Sequence, residues 1–240
     1  MKKNQNHIIL KFFSLLYVIF LLANCKPADN SKKLLAQALK NKDYATAAFA
    51  YNNLLLADTN NLEYKDSLAR LYIRSGNFEG GLRLGEQVMA KYPQNNKLLE
   101  LMGVANEQSK KIDKAVANFN ALFKASQNYI YIYKIAAICF DNDKFAEADS
   151  LADILIVQAA DTSKKIDINL PNGSTQKVSI LAASYNMKGA ILAELADRTG
   201  DVSKIEKAIP YFQKALQIQP NFAFPKLYLE RISQYMQGGR

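Results

Sequence analysis

A 34-residue beat constrains this 240-residue chain more than any other feature. Tyr44, Phe78 and Ile112 stand 34 apart, as do Ala47, Gly81 and Ala115, and Leu54, Val88 and Leu122 keep the same step. Self-similarity at such a period marks a chain of stacked supersecondary units, each too small to bury its apolar face alone. Within one unit, Leu62 to Asn95, the residues Leu68, Ala69 and Tyr72 fall on one helical face. Gly76-Asn77-Phe78 makes a turn, and Gly81, Gly85 and Val88 follow on a second face before Pro93. Spacings of three and four predict two amphipathic helices per unit. Small residues at the shared face let paired helices approach closely.

The register continues through Met102, Gly103, Ile112, Ala115, Phe119 and Leu122. It slips by one residue into Ile135, Ala136, Phe145, Ala148, Ala152 and Leu155, and returns as Gly189, Leu192, Ala208, Phe212, Ala215 and Pro220. This series resembles the tetratricopeptide repeat (TPR), a 34-residue helix-turn-helix unit, over roughly Ser31 to Gln219. The departures are the absence of Trp, and Thr59, Gln127 and Ala160 where Pro closes the better units. The resemblance implies an all-α fold, a right-handed superhelical solenoid of about five helix-turn-helix units. The helix expected from about Lys226 to Met236 would cap it, with an apolar side of Leu227, Leu229, Ile232 and Tyr235.

Two insertions interrupt the beat. Seven extra residues fall in the polar stretch Ala196–Ser203, and 19 lie near Asp161–Val178. In the second, Ile166, Ile168 and Leu170 alternate with polar residues, Asn172-Gly173 follows, and Val178 and Ile180 alternate again. Asn-Gly between alternating runs is a hairpin signal. A β-hairpin is therefore predicted near 164–180, either as a tolerated surface insertion or as a partner-binding arm.

The start of the chain reads differently. Met1-Lys2-Lys3, an apolar run from Phe12 to Leu22 and Leu22-Ala23-Asn24-Cys25 have the form of a secretory leader. The 11-residue run is short of the ~20 residues that span a bilayer. Leu-Ala-Asn-Cys resembles the lipobox of bacterial lipoproteins, although Asn24 departs from the usual Gly or Ala. The resemblance implies cleavage after residue 24 and lipid (palmitate among its acyl chains) on Cys25. An uncleaved signal anchor and an ordinary secretory peptide are the alternatives. Lys26 after the cysteine leans toward the outer membrane over the inner. The expected organisation is a signal peptide 1–24, a short lipid-anchored tether 25–30, a solenoid 31–236 and a tail 237–240. Without the leader, 28 basic residues face 22 acidic ones, a formal charge of +6. The charges are interspersed, which predicts a solvated mixed surface; an exported chain with no basic stripe gives no reason to expect nucleic acid.

Catalytic and metal-binding residue sets are sparse. The one histidine, His7, lies in the leader, and no Cys-x-x-Cys, Gly-rich phosphate loop or nucleophile elbow occurs. The pairs Asp141/Asp143 and Asp149/Asp153 read as solvated or capping carboxylates. Cys139, in the apolar run Ile135–Phe140, reads as a buried, inert thiol. The chain is therefore expected to be a non-enzyme without cofactor or metal.

In the TPR family the first helices of successive units line a groove that holds partner segments. The resemblance transfers that role to Asp66, Arg70 and Arg74 in the second unit, Glu100 and Glu107 in the third, Tyr133 and Phe140 in the fourth and Asn186 in the fifth. Tyr133 belongs to the run Tyr129–Tyr133, whose three tyrosines are either binding hot spots or inter-repeat core. The carboxylate clamp of chaperone-binding relatives is not supported, since Lys32 and Ala36 hold its first positions. The expectation is a lipid-anchored scaffold or adaptor on the periplasmic face of a bacterial membrane, binding an envelope protein or peptide. A structural subunit of a secretion, assembly or motility complex, and a glycan- or small-ligand-binding protein, are the alternatives.

Overall fold

In a computed structural model, residues 27–159 and 163–238 are described. The leader, Cys25 and the end of the tail lie outside them. Eleven helices occur among the described residues: α1 (Pro27–Lys40), α2 (Tyr44–Ala57), α3 (Leu62–Arg74), α4 (Phe78–Met89), α5 (Asn96–Gln108), α6 (Ile112–Ser126), α7 (Ile130–Asp141), α8 (Phe145–Gln158), α9 (Ile180–Thr199), α10 (Ser203–Ile218) and α11 (Ala223–Gly238). Strands β1 (Lys165–Asn169) and β2 (Thr175–Ser179) form an antiparallel hairpin between α8 and α9. The expected all-α class, the five helix pairs, the hairpin insertion and the closing helix are all present. The first helix starts at Pro27 rather than near Ser31, and α11 starts at Ala223 rather than Lys226.

The beat is visible in the backbone. Lys42, Gly76 and Lys110 hold φ of 56°, 84° and 59°, and Asp143 and Gly200 do so at 62° and 69°. Each is the left-handed residue in the turn between the two helices of a unit. Helix starts follow the same period at first. Asp43 accepts from the Thr46 N–H, and 34 residues on Asn77 accepts from the Gly80 N–H. Asn61 accepts from Tyr64 and Asn95 from Leu98. The next members, Lys111 and Tyr129, have no side-chain oxygen acting as a cap. Such a cap contributes ~1 kcal/mol, so α6, α7 and α8 depend more on packing, whereas Ser179 again caps α9.

The chain divides into two compact units, residues 1–105 and 106–240, with the boundary inside α5. The first has a core of Tyr51, Leu68, Ile73, Leu82, Val88, Leu98 and Met102. In the second, Ala115, Phe119, Leu122, Ile135, Ala148 and Leu155 are buried. Ala208, Phe212 and Ile232 form a cluster with Leu192, Ile209 and Tyr228. Every small residue of the beat, Ala47, Gly81, Ala115, Ala148 and Ala208, is buried. The seven extra residues lengthen α9 to 20 residues, ending at Thr199 with the left-handed Gly200 as its C-cap. Cys139 is buried and unpaired, and burial raises its thiol pKa.

Lys188 on α9 is buried beneath the surface of the second unit. Its Nζ lies 2.9 Å from Asp149 Oδ1 and 2.7 Å from Asp153 Oδ1, one helical turn apart on α8. The Asp149/Asp153 pair is thus an ion clasp rather than a solvated or capping pair. Burial opposes the lysine charge, but the hydrogen bonds it donates to Asp153 and Asp149 outweigh that and raise the lysine pKa.

A candidate partner-binding cleft

The eight residues expected to line a groove divide between the units. In the first, Asp66 and Arg70 on α3 form a bidentate pair, Nε to Oδ2 at 2.8 Å and Nη2 to Oδ1 at 3.0 Å. Both also hold Asn95: Arg70 Nη2 donates to its Oδ1 at 2.9 Å, and its Nδ2 donates to Asp66 Oδ1 at 2.9 Å. Asn95 caps α5, so the pair orients the start of the next unit's first helix. Arg74 is exposed in the last turn of α3, and Glu100 is half-buried on α5.

In the second unit the residues converge. Tyr133 and Phe140 on α7 and Asn186 on α9 line one cleft of about 180 Å³, with Ile168 of β1 and Phe224 and Tyr228 of α11. It shares Tyr133, Ala137, Asp141, Ile168 and Phe224 with a wider region of about 670 Å³, bordered by Glu107, Lys134 and all five residues of β1. A small, mostly apolar region continuous with a wider one bordered by charged groups has the lining of a recognition site. The tyrosine run separates into different roles. Tyr131 stacks on Phe119 with centroids 6.3 Å apart, Tyr129 tilts onto Phe123 at 5.3 Å, and Tyr133 faces the cleft.

Burial opposes the negative charge of two carboxylates in the cleft. Burial raises the Asp141 pKa, with Lys110 only partly opposing. Burial, then the Asp141 charge, raises that of Glu107, with Lys134 and Lys110 partly opposing. The same two causes push the Tyr133 phenol well above its ordinary value. Oδ1 of Asn186 is buried without a hydrogen-bond partner. A bound group carrying N–H donors or a positive charge relieves each of these costs. Among the described residues, no group of three or more His, Cys, Asp or Glu is placed to hold a metal ion.

Sequence reasoning offered the hairpin as a tolerated insertion or a partner-binding arm, not as a wall of the cleft, and missed the contribution of α11. The insertion is fastened to the body of the unit. Ile166 and Val178 are buried. Gln176 bonds to Asn221 O at 2.6 Å and accepts from the Ala223 N–H at 3.1 Å. Aromatic density in Phe222-Ala223-Phe224 was the available signal for the far wall. Phe222 is fully buried and meets Phe224 edge-on at 6.4 Å, leaving Phe224 against the cleft.

No protein-family model matches the sequence, and no curated protein matches it. Solved structures do match. The chain is similar to a crystal structure of MamA at 15% identity and a TM-score of 0.58, over 82% of this chain and 97% of that one. A second MamA structure, from MSR-1, has 18% identity and a TM-score of 0.55, over 82% and 98%. YrrB, a TPR protein with an unusual peptide-binding site, is 13% identical with a TM-score of 0.58, over 90% of this chain and 97% of its own. At these identities the likeness is one of fold, and it coincides with the helix pairs and left-handed turns described above. The chain has the tetratricopeptide-repeat fold.

Proposed function

We propose that the chain is a protein-interaction scaffold that holds a partner in the cleft of its second unit, anchored to the bacterial cell envelope by lipid on Cys25. The convergence of Tyr133, Phe140 and Asn186 with the walls of β1 and α11 carries this reading. Aromatic walls supply contact area at low entropic cost, and the unpartnered Asn186 oxygen and raised carboxylates supply selectivity. The anchor rests on the lipobox-like Leu22–Cys25. If lipid sits on Cys25, the start of α1 at Pro27 leaves a link of two residues, a reach of about 7 Å. The second unit's partner would then be met on the periplasmic face of the membrane, the outer membrane by the reading of Lys26.

A photo-crosslinking residue at position 133 tests the cleft in cells. The expected result is a discrete protein adduct that disappears when Phe140 is changed to Ser and is absent when the probe sits at the exposed Leu56. An adduct pattern indifferent to position and to Phe140 sinks the proposal. Metabolic fatty-acid labelling lost in Cys25→Ser is expected, and labelling that persists refutes the anchor.

A further inference from the structure

The hairpin has two unequal edges. Register pairs Ile166 with Val178 and Ile168 with Gln176. The bonds Ile180 N–H to Lys164 O at 3.0 Å and Leu170 N–H to Ser174 O at 2.8 Å set the phase of the ladder. In an antiparallel pair, directly opposed residues alternate between exchanging both bonds and exchanging none. The even-numbered residues of β1 therefore bond to β2. Lys165, Asp167 and Asn169 direct their N–H and C=O groups away from it. The same parity on β2 turns Lys177 and Ser179 outward.

Two of the outward groups of β2 are satisfied. The Gln219 side-chain amide accepts from the Ser179 N–H at 3.0 Å and donates to Lys177 O at 2.9 Å, taking the place of one residue of a neighbouring strand. No equivalent exists on β1. Among the described residues nothing bonds to the backbone of Lys165, Asp167 or Asn169. That open edge borders the wider part of the cleft, across from α7. An unpaired edge is a template for another strand.

Charge selects what adds there. A second copy of β1 pairing antiparallel about its centre would set Asp167 against Asp167, and like charges directly opposed are destabilising. Asp167 meets Lys177 of β2 at 3.3 Å but its side chain stays 60% exposed, so a basic residue on the added strand would flank it from the open side and complete a row of alternating charge across the sheet. Residues on either side of that base would point to the other face, toward Ile168, Tyr133 and Phe224.

We infer that the partner enters as an extended segment that adds a third strand to β1, with a Lys or Arg opposite Asp167 and apolar residues beside it facing the cleft. This rests on the proposed function and names the partner's chemistry and mode of binding. The test uses the full chain and four blocked nonapeptides of alternating Thr and Val: one with a central Lys, one with a central Glu, and two Lys peptides N-methylated on alternate residues, one in each register. The Lys peptide is expected to slow amide exchange at Lys165, Asp167 and Asn169. The Glu peptide should bind roughly fivefold to tenfold more weakly. One N-methylated register should lose binding.

Asp167→Pro removes an N–H that points away from β2, so the hairpin ladder survives and binding is lost. Unchanged exchange at Ile166 and Val178 reports the intact ladder. Asp167→Lys should reverse the preference between the Lys and Glu peptides. Binding unaffected by Asp167→Pro with the ladder intact overturns the inference, as does protection confined to α7 or failure of the Lys peptide to bind. A position-133 adduct that survives Asp167→Pro would leave the cleft as the interaction site and remove only the strand-addition mode.

Discussion

Gly189→Ala examines how closely α9 and α10 are packed. A Cβ at residue 189 would lie 2.6 Å from Phe212 Cε1 and 2.8 Å from Cδ1 and Cζ. Ordinary carbon contacts are ~3.5–4.0 Å, so the ring must retreat by roughly 1 Å. Its retreat is blocked: Phe212 is fully buried, and Tyr228 stacks on it with centroids 4.7 Å apart and planes 10° from parallel. Overpacking costs about 1–3 kcal/mol, and the blocked retreat puts this site at about 2–3 kcal/mol. The Gly-to-Ala gain in helix propensity offsets about 1 kcal/mol. The expected net is a loss of about 1–2 kcal/mol in the second unit.

Gly85→Ala in the first unit is the internal control. There the added Cβ meets Met102 Sδ at 2.7 Å, and a thioether side chain can move aside. Its expected change is near zero or slightly stabilising. Urea titration followed by far-UV circular dichroism, with hydrogen exchange to separate the two units, distinguishes them. Phe212→Leu in the Gly189→Ala background should recover part of the loss. Equal effects of the two glycine substitutions, or a Gly189→Ala protein as stable as the parent, would refute the packing argument. Since Tyr228 also lines the cleft, a displaced Phe212 ring should weaken partner binding as well.

Three further outcomes are expected. Removing both carboxylates with Asp149→Asn/Asp153→Asn strands the buried Lys188 ammonium and should cost about 3–5 kcal/mol by urea titration, whereas Lys188→Met should cost less, because the two Asp side chains are 41% and 61% exposed and can rehydrate. The lysine pKa is raised in the folded chain, so its contribution is complete below the unfolded value of ~10.4 and is lost as pH rises through the higher folded value; urea midpoints of parent and Lys188→Met should converge at strongly alkaline pH. Lys42→Gly, at φ 56°, should stabilise by about 0.5–1 kcal/mol, and Gly76→Ala, at φ 84°, should destabilise by about 1 kcal/mol, both read from thermal midpoints. Asn95→Ala removes a helix cap and leaves the Asp66–Arg70 pair without its third member, an expected loss of about 1–2 kcal/mol confined by hydrogen exchange to the first unit.

The helix pairs were legible because burial of small and large apolar residues at fixed intervals is a local property of the chain. Ala47, Ala115 and Ala148 lie where the spacing places them, and Asn172-Gly173 turns the predicted hairpin, with Gly173 at φ 79°. The cleft was half legible. Tyr133, Phe140 and Asn186 follow from the repeat phase and do converge. Ile168, Phe224 and Tyr228 enter from an insertion and a closing helix that carry no repeat phase, so only tertiary packing brings them there. Arg70 shows the converse. Its position suits a groove, but its guanidinium is bound to Asp66 and Asn95, a partnership 25 residues away that no spacing announces. The Asp149/Asp153 pair was misread for the same reason, since Lys188 approaches from beyond the insertion.

What recurs most steadily in this chain is a torsion angle rather than a side chain. The left-handed turn is held by Lys, Gly, Lys, Asp and Gly in successive units. A residue type that the turn favours is present in some units and absent in others, yet the bend between helices is kept. The chain can therefore tolerate wide drift in its letters while conserving its geometry, provided each unit finds some other means to cover the strain. A helix cap beside Lys42 supplies that cover, and beside Lys110 and Asp143, where the next helix has no side-chain cap, packing alone does. The surfaces between the turns are correspondingly free to diverge toward whatever partner the cleft serves.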